Sequence, residues 1–408
     1  MRILYVSQYF PPEMGAPSAR VHELSREWVK LGNDVSVLTA FANHPTGRKA
    51  AADTWRITRR ERVDGIEVVR AYIWAAANKG TVKRMMSYAS FMASAAIIGS
   101  VRVRRPDVVV ATSPQLLCAV AGYMLSVRFR VPFVFEVRDL WPESVLAVEA
   151  MTDNAIVRGL KGIARFLYTH ATRIVTVGQG YKHEIHDRYG IALDRMDVVP
   201  NGIDTNLFVP GPRTNEIREE YGWGERFVVL YLGTHGMAHA LHIVLEAAEK
   251  LKDNPEILFA FVGEGAEKAK LKRLAKEKRL GNVQFIDHQP KSRVPLFYAA
   301  CDAGLVPLRD TRLFQRVLPS KIFELMGMAK PIFLSVDGEA RSLVEGAQAG
   351  SYVPPENAAA LCEAVLRAVG NPELLSSMGE RGREFVLRHY DRRVLAERYL
   401  KLLEGLEE

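Results

Sequence analysis

The chain has 408 residues, 48% of them hydrophobic and 25% charged; this composition excludes a disordered polymer and suits two α/β domains of roughly 200 residues each. The formal charge of +8 is uneven: residues 1–200 carry 27 Lys+Arg against 18 Asp+Glu, and the remainder carries 28 against 29. The excess in the first half points to an anionic membrane surface or a phosphorylated acceptor, and the absence of a basic-aromatic recognition module argues against nucleic acid.

Three cysteines, Cys118, Cys301 and Cys362, are odd in number, widely spaced and set in apolar or helical surroundings. They read as reduced core residues rather than a disulfide framework or metal site, which fits a cytoplasmic protein. No apolar run reaches the length of a bilayer span, and MRILYVSQYF reads as a first strand rather than a secretory leader. Residues 2–7 form that strand, a Pro/Gly loop follows to Ala16, and a helix runs from about Ser18 to Leu31 before the strand DVSVLTA. A parallel βαβ unit of this kind places the loop at the carboxyl edge, where ligands bind. A hairpin turning at Asp64-Gly65 comes next, then a helical segment 80–105, strand 107–114, an apolar helix 115–128, a strand ending at Arg138-Asp139, helix 155–170 and strand 173–178. The turn-rich stretch 197–210 marks a domain boundary. The second series has strands at 226–233, 257–265, 283–286, 303–308 and 332–335, alternating with helices at 239–252, 266–280, 291–300 and 320–330. Beyond 355 the chain reads as helical throughout. The expectation is an α/β protein of two doubly wound, Rossmann-like domains facing each other across a cleft.

Several residues suggest chemistry. In RVLPSKIFELMGMAKPIFLS (316–335), Ser320 reads as an N-cap and Lys321 sits in the first helical turn, so backbone N–H groups, the dipole and an ammonium could meet a phosphate. Glu324, one turn further, could accept from the two hydroxyls of a ribose, or simply stabilise its own helix. Asp139, ending a strand within EVRDLWPES, could orient or deprotonate an acceptor hydroxyl, or cap the following helix; Arg138 and Glu143 are weaker candidates. Arg20, in the first turns of the opening helix, reads either as a substrate ligand or as an ion-pair partner, and His44 as a loop histidine that could touch acceptor. His235, His239 and His242 lack a fourth ligand for zinc, so no metal is expected there. Segment 80–105 mixes methionine and aromatic residues with basic flanks, and reads either as a core helix or as a face pressed on anionic lipid.

The blocks ILYVSQYFPPEMGAPSARVHELSREWVKLGNDVSVLT, VVPNGIDTNLF, YLGTHG, FVGEG, YAACDAGLVPL and LPSKIFELMGMAKPI, in this order, resemble the family 4 glycosyltransferases of the GT-B fold over essentially the whole chain. FANHPTG and EVRDLWPES further resemble the branch that builds bacterial O-antigen and capsule, including N-acetylfucosamine transferases. The resemblance implies metal-independent transfer of a hexosyl or N-acetylhexosaminyl group, with retention, from a nucleotide sugar, usually UDP-linked, to a lipid-linked or oligosaccharide acceptor, such as one on polyprenyl diphosphate, at the inner face of the plasma membrane. The nucleotide sugar is a co-substrate, and no cofactor is expected. Residues 1–200 would bind acceptor, 201–385 the nucleotide sugar, and 386–408 would form a helix packing back on the first domain. A UDP-sugar 2-epimerase of the same fold and a non-catalytic partner subunit are the alternatives.

The resemblance also implies site roles. Lys321, Ser320 and the helix amides match the diphosphate position, and Glu324 the glutamate that holds the ribose; Gly15 belongs to the loop near the donor phosphates. Two departures stand out: Arg316 replaces a glutamate eight residues before Glu324, and THGMAHAL after Gly233 lacks the Arg and Lys that usually meet the diphosphate. Arg316 with Arg312 would help compensate charge, and Thr234, His235, Gly236 and His239 would supply hydrogen bonds. Gly263 and Gly265 would let the nucleotide approach the backbone, unless they serve only a tight turn, and the main chain at Asp287-His288 would meet the base.

Overall fold

A computed structural model describes residues 1–13, 15–43, 47–75, 81–113, 115–147 and 155–406. The chain divides into two compact units, Met1–Asn201 with Arg392–Glu408, and Gly202–Asp391.

The first unit runs β1 (Arg2–Val6), α1 (Ala16–Lys30), β2 (Asp34–Ala40), β3 (Thr58–Val63), β4 (Ile66–Ala71), α2 (Thr81–Arg102), β5 (Val108–Thr112), α3 (Leu116–Phe129), β6 (Phe133–Val137), α4 (Glu143–Ala147), α5 (Ala155–His170), β7 (Arg173–Thr176), α6 (Gln179–Tyr189) and β8 (Met196–Val198). Its sheet has the order β3-β4-β2-β1-β5-β6-β7-β8, parallel except for β3, which pairs antiparallel to β4. The hairpin between them turns at Asp64 and Gly65, both at positive φ (49° and 81°). β5 and β6 are buried at every position, as interior strands of a sheet covered on both faces must be. On one face α2 packs on α3 and α3 on α5. On the other, α1 packs against α15 (Arg392–Glu404): the buried Trp28 donates from Nε1 to the Ala396 carbonyl at 3.0 Å and meets Tyr399 edge-on at 5.3 Å.

The second unit runs α7 (Glu216–Glu220), β9 (Phe227–Leu232), α8 (Leu241–Lys250), β10 (Ile257–Val262), α9 (Lys268–Glu277), β11 (Val283–Ile286), α10 (Val294–Ala300), β12 (Ala303–Pro307), α11 (Lys321–Gly327), β13 (Ile332–Ser335), α12 (Glu339–Gly346), β14 (Gly350–Tyr352), α13 (Ala358–Val369) and α14 (Pro372–His389). Its six strands are all parallel in the order β11-β10-β9-β12-β13-β14. Each sheet reverses its winding direction once, at β1/β5 and at β9/β12, and the carboxyl ends of those pairs form a crevice in doubly wound folds.

The short elements α6, α7, α12, β8 and β14 escape the sequence reading, because three to eleven residues carry too little periodicity to rise above a loop. α11 is shorter than the expected 320–330, and the chain returns to the first unit at Arg392 rather than at 386.

Candidate functional site

In the second unit the crevice at β9/β12 is lined by α11. α11 lies so close to β12 that a Cβ at Gly304 would sit 2.2 Å from Leu325 Cδ2. This brings Lys321, at the first position of α11, over the end of β9: its ammonium stands 4.0 Å from the Tyr231 ring centroid, and a Cβ at Gly233 would sit 3.1 Å from Nζ. The ammonium is buried and has no hydrogen-bond partner among the described residues. Burial pushes its pKa down to about 8, against an upward pull from Glu324. A desolvated cation touching a ring face, with no acceptor of its own, is poised for an external anion.

One turn along α11, the half-buried Glu324 carboxylate accepts a hydrogen bond from the Tyr298 hydroxyl at 2.8 Å. Tyr298 lies on α10 and is almost wholly buried; burial and then Glu324 raise its pKa, so it stays a phenol and donates. The pair fixes the carboxylate in one orientation, as a group recognising a diol requires. Sequence reasoning missed Tyr298 and Tyr231. Their only signal was their place in the blocks YAACDAGLVPL and YLGTHG.

The remaining expectations for this unit fare differently. Ser320 stands at the N-cap position of α11 as expected, but its backbone angles are helical and its side chain makes no cap bond; the first helical bonds run to the Pro319 and Ser320 carbonyls. The His235 ring is fully buried against Tyr231, Phe261 and Phe285, and burial together with Lys268 lowers its pKa to about 4. The ring is closed off from solvent. His239 meets the Pro307 carbonyl through Nδ1 at 3.3 Å, and burial and Lys321 lower its pKa to about 3, so the ring is neutral in the free protein. Gly263 (φ 139°) and Gly265 serve backbone packing: a Cβ at the first would lie 2.0 Å from the Gly233 carbonyl oxygen, and at the second 2.3 Å from that of His235. These two glycines hold the loops after β9 and β10 together. Thr234 is exposed, and its carbonyl accepts from the Tyr231 hydroxyl at 2.6 Å. Arg316 ends a short 3₁₀ turn and is half-buried, and Arg312 is exposed. His288 is exposed beside Asp287, which pairs with Lys268 at 2.6 Å.

In the first unit, Arg20 is 4% exposed and fully engaged: Nε donates to Glu136 at 2.8 Å, Nη1 to the Pro200 carbonyl at 2.7 Å and Nη2 to the Val199 carbonyl at 2.9 Å. Tyr5 donates to the other Glu136 oxygen. The expected substrate role is therefore corrected: Arg20 ties α1 and the segment after β8 to the middle of the sheet. Asp139 follows β6 and is half-buried; the backbone amides of Arg138 and Asp139 both donate to Ser113 Oγ, at 2.8 and 3.2 Å, pinning this loop to the end of β5. Burial raises the Asp139 pKa, with Ser144 and the Leu140 amide pulling the other way. Arg138 donates to the Pro17 carbonyl at 3.0 Å, and Glu143 accepts from the Tyr189 hydroxyl at 2.6 Å, so both serve structure. Gly15 (φ 124°) is the exposed residue before α1. His44 lies outside the described residues.

Two doubly wound parallel sheets in one chain, the second carrying a buried cation and a tethered carboxylate at its switch point, define a protein of the GT-B glycosyltransferase fold. Residues 18–207 match the profile of the family described as Glycosyltransferase Family 4, and residues 213–385 that described as Glycosyl transferases group 1. The chain belongs to the family 4 glycosyltransferases. It is 23% identical to a chain of Escherichia coli K12 named as a colanic acid biosynthesis glycosyl transferase, WcaI, over 99% of this chain and 100% of that one. It is 25% identical to the glycosyltransferase WbjE of Pseudomonas aeruginosa, over 75% and 76% of the two chains. Among solved structures, Anabaena Alr3699/HepE in complex with UDP and glucose superposes with a TM-score of 0.76 at 19% identity, covering all of both chains. Sucrose-phosphate synthase from Thermosynechococcus elongatus gives 0.78 at 17%, covering 99% of this chain and 98% of that one. Among the described residues no helix is long and apolar enough to cross a membrane.

Proposed function

We propose that this chain is a retaining glycosyltransferase that moves a hexosyl or N-acetylhexosaminyl group from a UDP-sugar to a lipid-linked sugar acceptor during assembly of a bacterial surface polysaccharide, at the cytoplasmic face of the plasma membrane. The observation that carries it is Lys321: a buried ammonium without an acceptor among the described residues, one turn from a carboxylate that Tyr298 holds in place. As the bond from the anomeric carbon to the phosphate oxygen breaks, negative charge grows on the leaving diphosphate, and a desolvated cation already in position stabilises that charge without reorganisation. Glu324 would take the two ribose hydroxyls. In the first unit, Asp139 is the group proposed to orient the acceptor hydroxyl and take its proton as the new glycosidic bond forms. No resident cofactor or metal is part of the proposal. The UDP in the HepE complex and the colanic acid name of the E. coli relative support the choice of donor and pathway class.

The test is a thermal-shift screen of UDP-, GDP- and dTDP-sugars, followed by incubation of the best donor with a polyprenyl-diphosphate-linked sugar. Elongated lipid product with the donor's anomeric configuration, read by NMR, is the expected result. Conversion of the donor to a free 2-epimer, or no UDP-sugar among the stabilising compounds, would overturn the reading.

A further inference from the structure

A helix that is apolar all round is normally buried all round, and α2 breaks that rule. Between Met85 and Val101 it has no charged residue. Its inner face, with Phe91, Ala95 and Ile98, packs into the first unit, while Met86, Ala89, Ala93, Ile97 and Val101, at helical spacing, form one exposed stripe. Ile97 is 68% and Val101 77% exposed in the whole chain. The neighbouring helices continue the stripe: Met124 and Val127 of α3 are 49% and 58% exposed, and Phe166 of α5, edge-on to Tyr123 at 5.0 Å, is 39% exposed. α2, α3 and α5 thus form one layer with an apolar middle.

The three helices themselves carry charge of a single sign. Residues 81–106, 116–130 and 155–170 contain ten Lys and Arg and not one Asp or Glu. Arg102, Arg104, Arg105, Arg128, Arg158 and Arg165 are exposed, and among the described residues none of them pairs with a carboxylate. From the exposed apolar middle and the exposed arginines of these acid-free helices we infer that the α2–α3–α5 face docks on an anionic phospholipid surface: the arginines meet the headgroups while Ile97, Val101, Val127 and Phe166 enter the acyl boundary. This goes beyond a basic segment attracted at a distance, because it assigns insertion to a defined three-helix platform. A second copy of the chain is the poorer occupant, since a two-fold interface would set ten cations against ten. The inference agrees with a lipid-linked acceptor but does not depend on the donor, and its readout is lipid binding without turnover.

The experiment is sedimentation of the full chain with vesicles of phosphatidylglycerol and phosphatidylcholine at 1:1, compared with phosphatidylcholine alone, at low and high salt. Binding to the anionic vesicles only, weakened by salt, is expected. Arg102→Gln/Arg104→Gln/Arg105→Gln should lower the partition coefficient on the order of a hundredfold, since each basic residue at the surface contributes about fivefold. Ile97→Gln/Val101→Gln, which leaves net charge unchanged, should lower it about tenfold or more. Unchanged far-UV circular dichroism and Tm in both variants confirm that they fold. No binding by the wild type, binding that neither variant alters, or a dimer in light scattering that the Ile97/Val101 variant dissociates would each overturn the inference.

Discussion

Replacing Lys321 with methionine should raise the stability of the free protein while weakening its hold on nucleotide, and opposite signs are what separate a ligand-binding lysine from a structural one. The ammonium is buried over Tyr231 at 4.0 Å with no acceptor among the described residues. Its pKa falls from 10.5 to about 8, which corresponds to roughly 3 kcal/mol of penalty on the charged form. Losing the ring contact gives back about 1–2 kcal/mol. Lys321→Met should therefore stabilise the free protein by about 1–2 kcal/mol at pH 7, a rise in Tm of a few degrees for a unit of this size. The penalty is complete below the folded pKa of about 8. It fades as pH rises toward 10.5, because there the folded lysine has released a proton that the unfolded one still holds, so wild-type stability climbs with pH across that window. The variant lacks this climb, and the gap between the two proteins should narrow. With UDP present the order reverses: losing a charge-assisted contact worth about 1.5–3 kcal/mol should raise the Kd by about 10–150-fold. Calorimetry with UDP and thermal unfolding from pH 7 to 10.5 measure both effects. A lower Tm together with an unchanged UDP Kd would refute the reasoning.

Tyr298→Phe removes the hydroxyl that Glu324 accepts; it should cost about 1–2 kcal/mol in urea unfolding and weaken UDP several-fold, and an unaltered UDP Kd would detach Glu324 from the ribose. Arg20→Met leaves the buried Glu136 without its cation and should destabilise the first unit by about 3–5 kcal/mol, whereas a substrate ligand would instead raise an acceptor KM at constant stability. Asp139→Asn should act through ionisation. The folded pKa lies above the unfolded one, so the contribution of Asp139 to stability is present at acid pH and is lost as pH rises through the folded pKa. The variant should therefore be at least as stable as wild type at pH 7 while its turnover falls about a hundredfold or more; near-normal turnover would remove Asp139 from the reaction.

Strand-helix alternation, the Asp64-Gly65 hairpin and the placement of Lys321 and Glu324 on one short helix were all legible in the residues, because each depends on neighbours within one turn or one strand. Local pattern could not say which of two equally polar residues has its donors already engaged. Arg20 and Lys321 both read as substrate cations, yet Glu136 and the Val199 and Pro200 carbonyls claim every nitrogen of Arg20, while Lys321 is left with a ring face. Its neighbours also decided His235, which looked like a loop ligand and is sealed among Phe261, Phe285 and Tyr231. Gly263 looked like a nucleotide-facing turn, and its missing side chain is needed by the Gly233 carbonyl. Tyr298 meets Glu324 only through an α10–α11 contact that spans 26 residues. The sequence by itself thus determined the two-fold repeat of a parallel α/β unit and the kind of groups available, since periodicity and residue chemistry are local. Only the tertiary structure decided which of those groups remain unsatisfied, because burial and hydrogen-bond saturation are set by residues far apart in the chain.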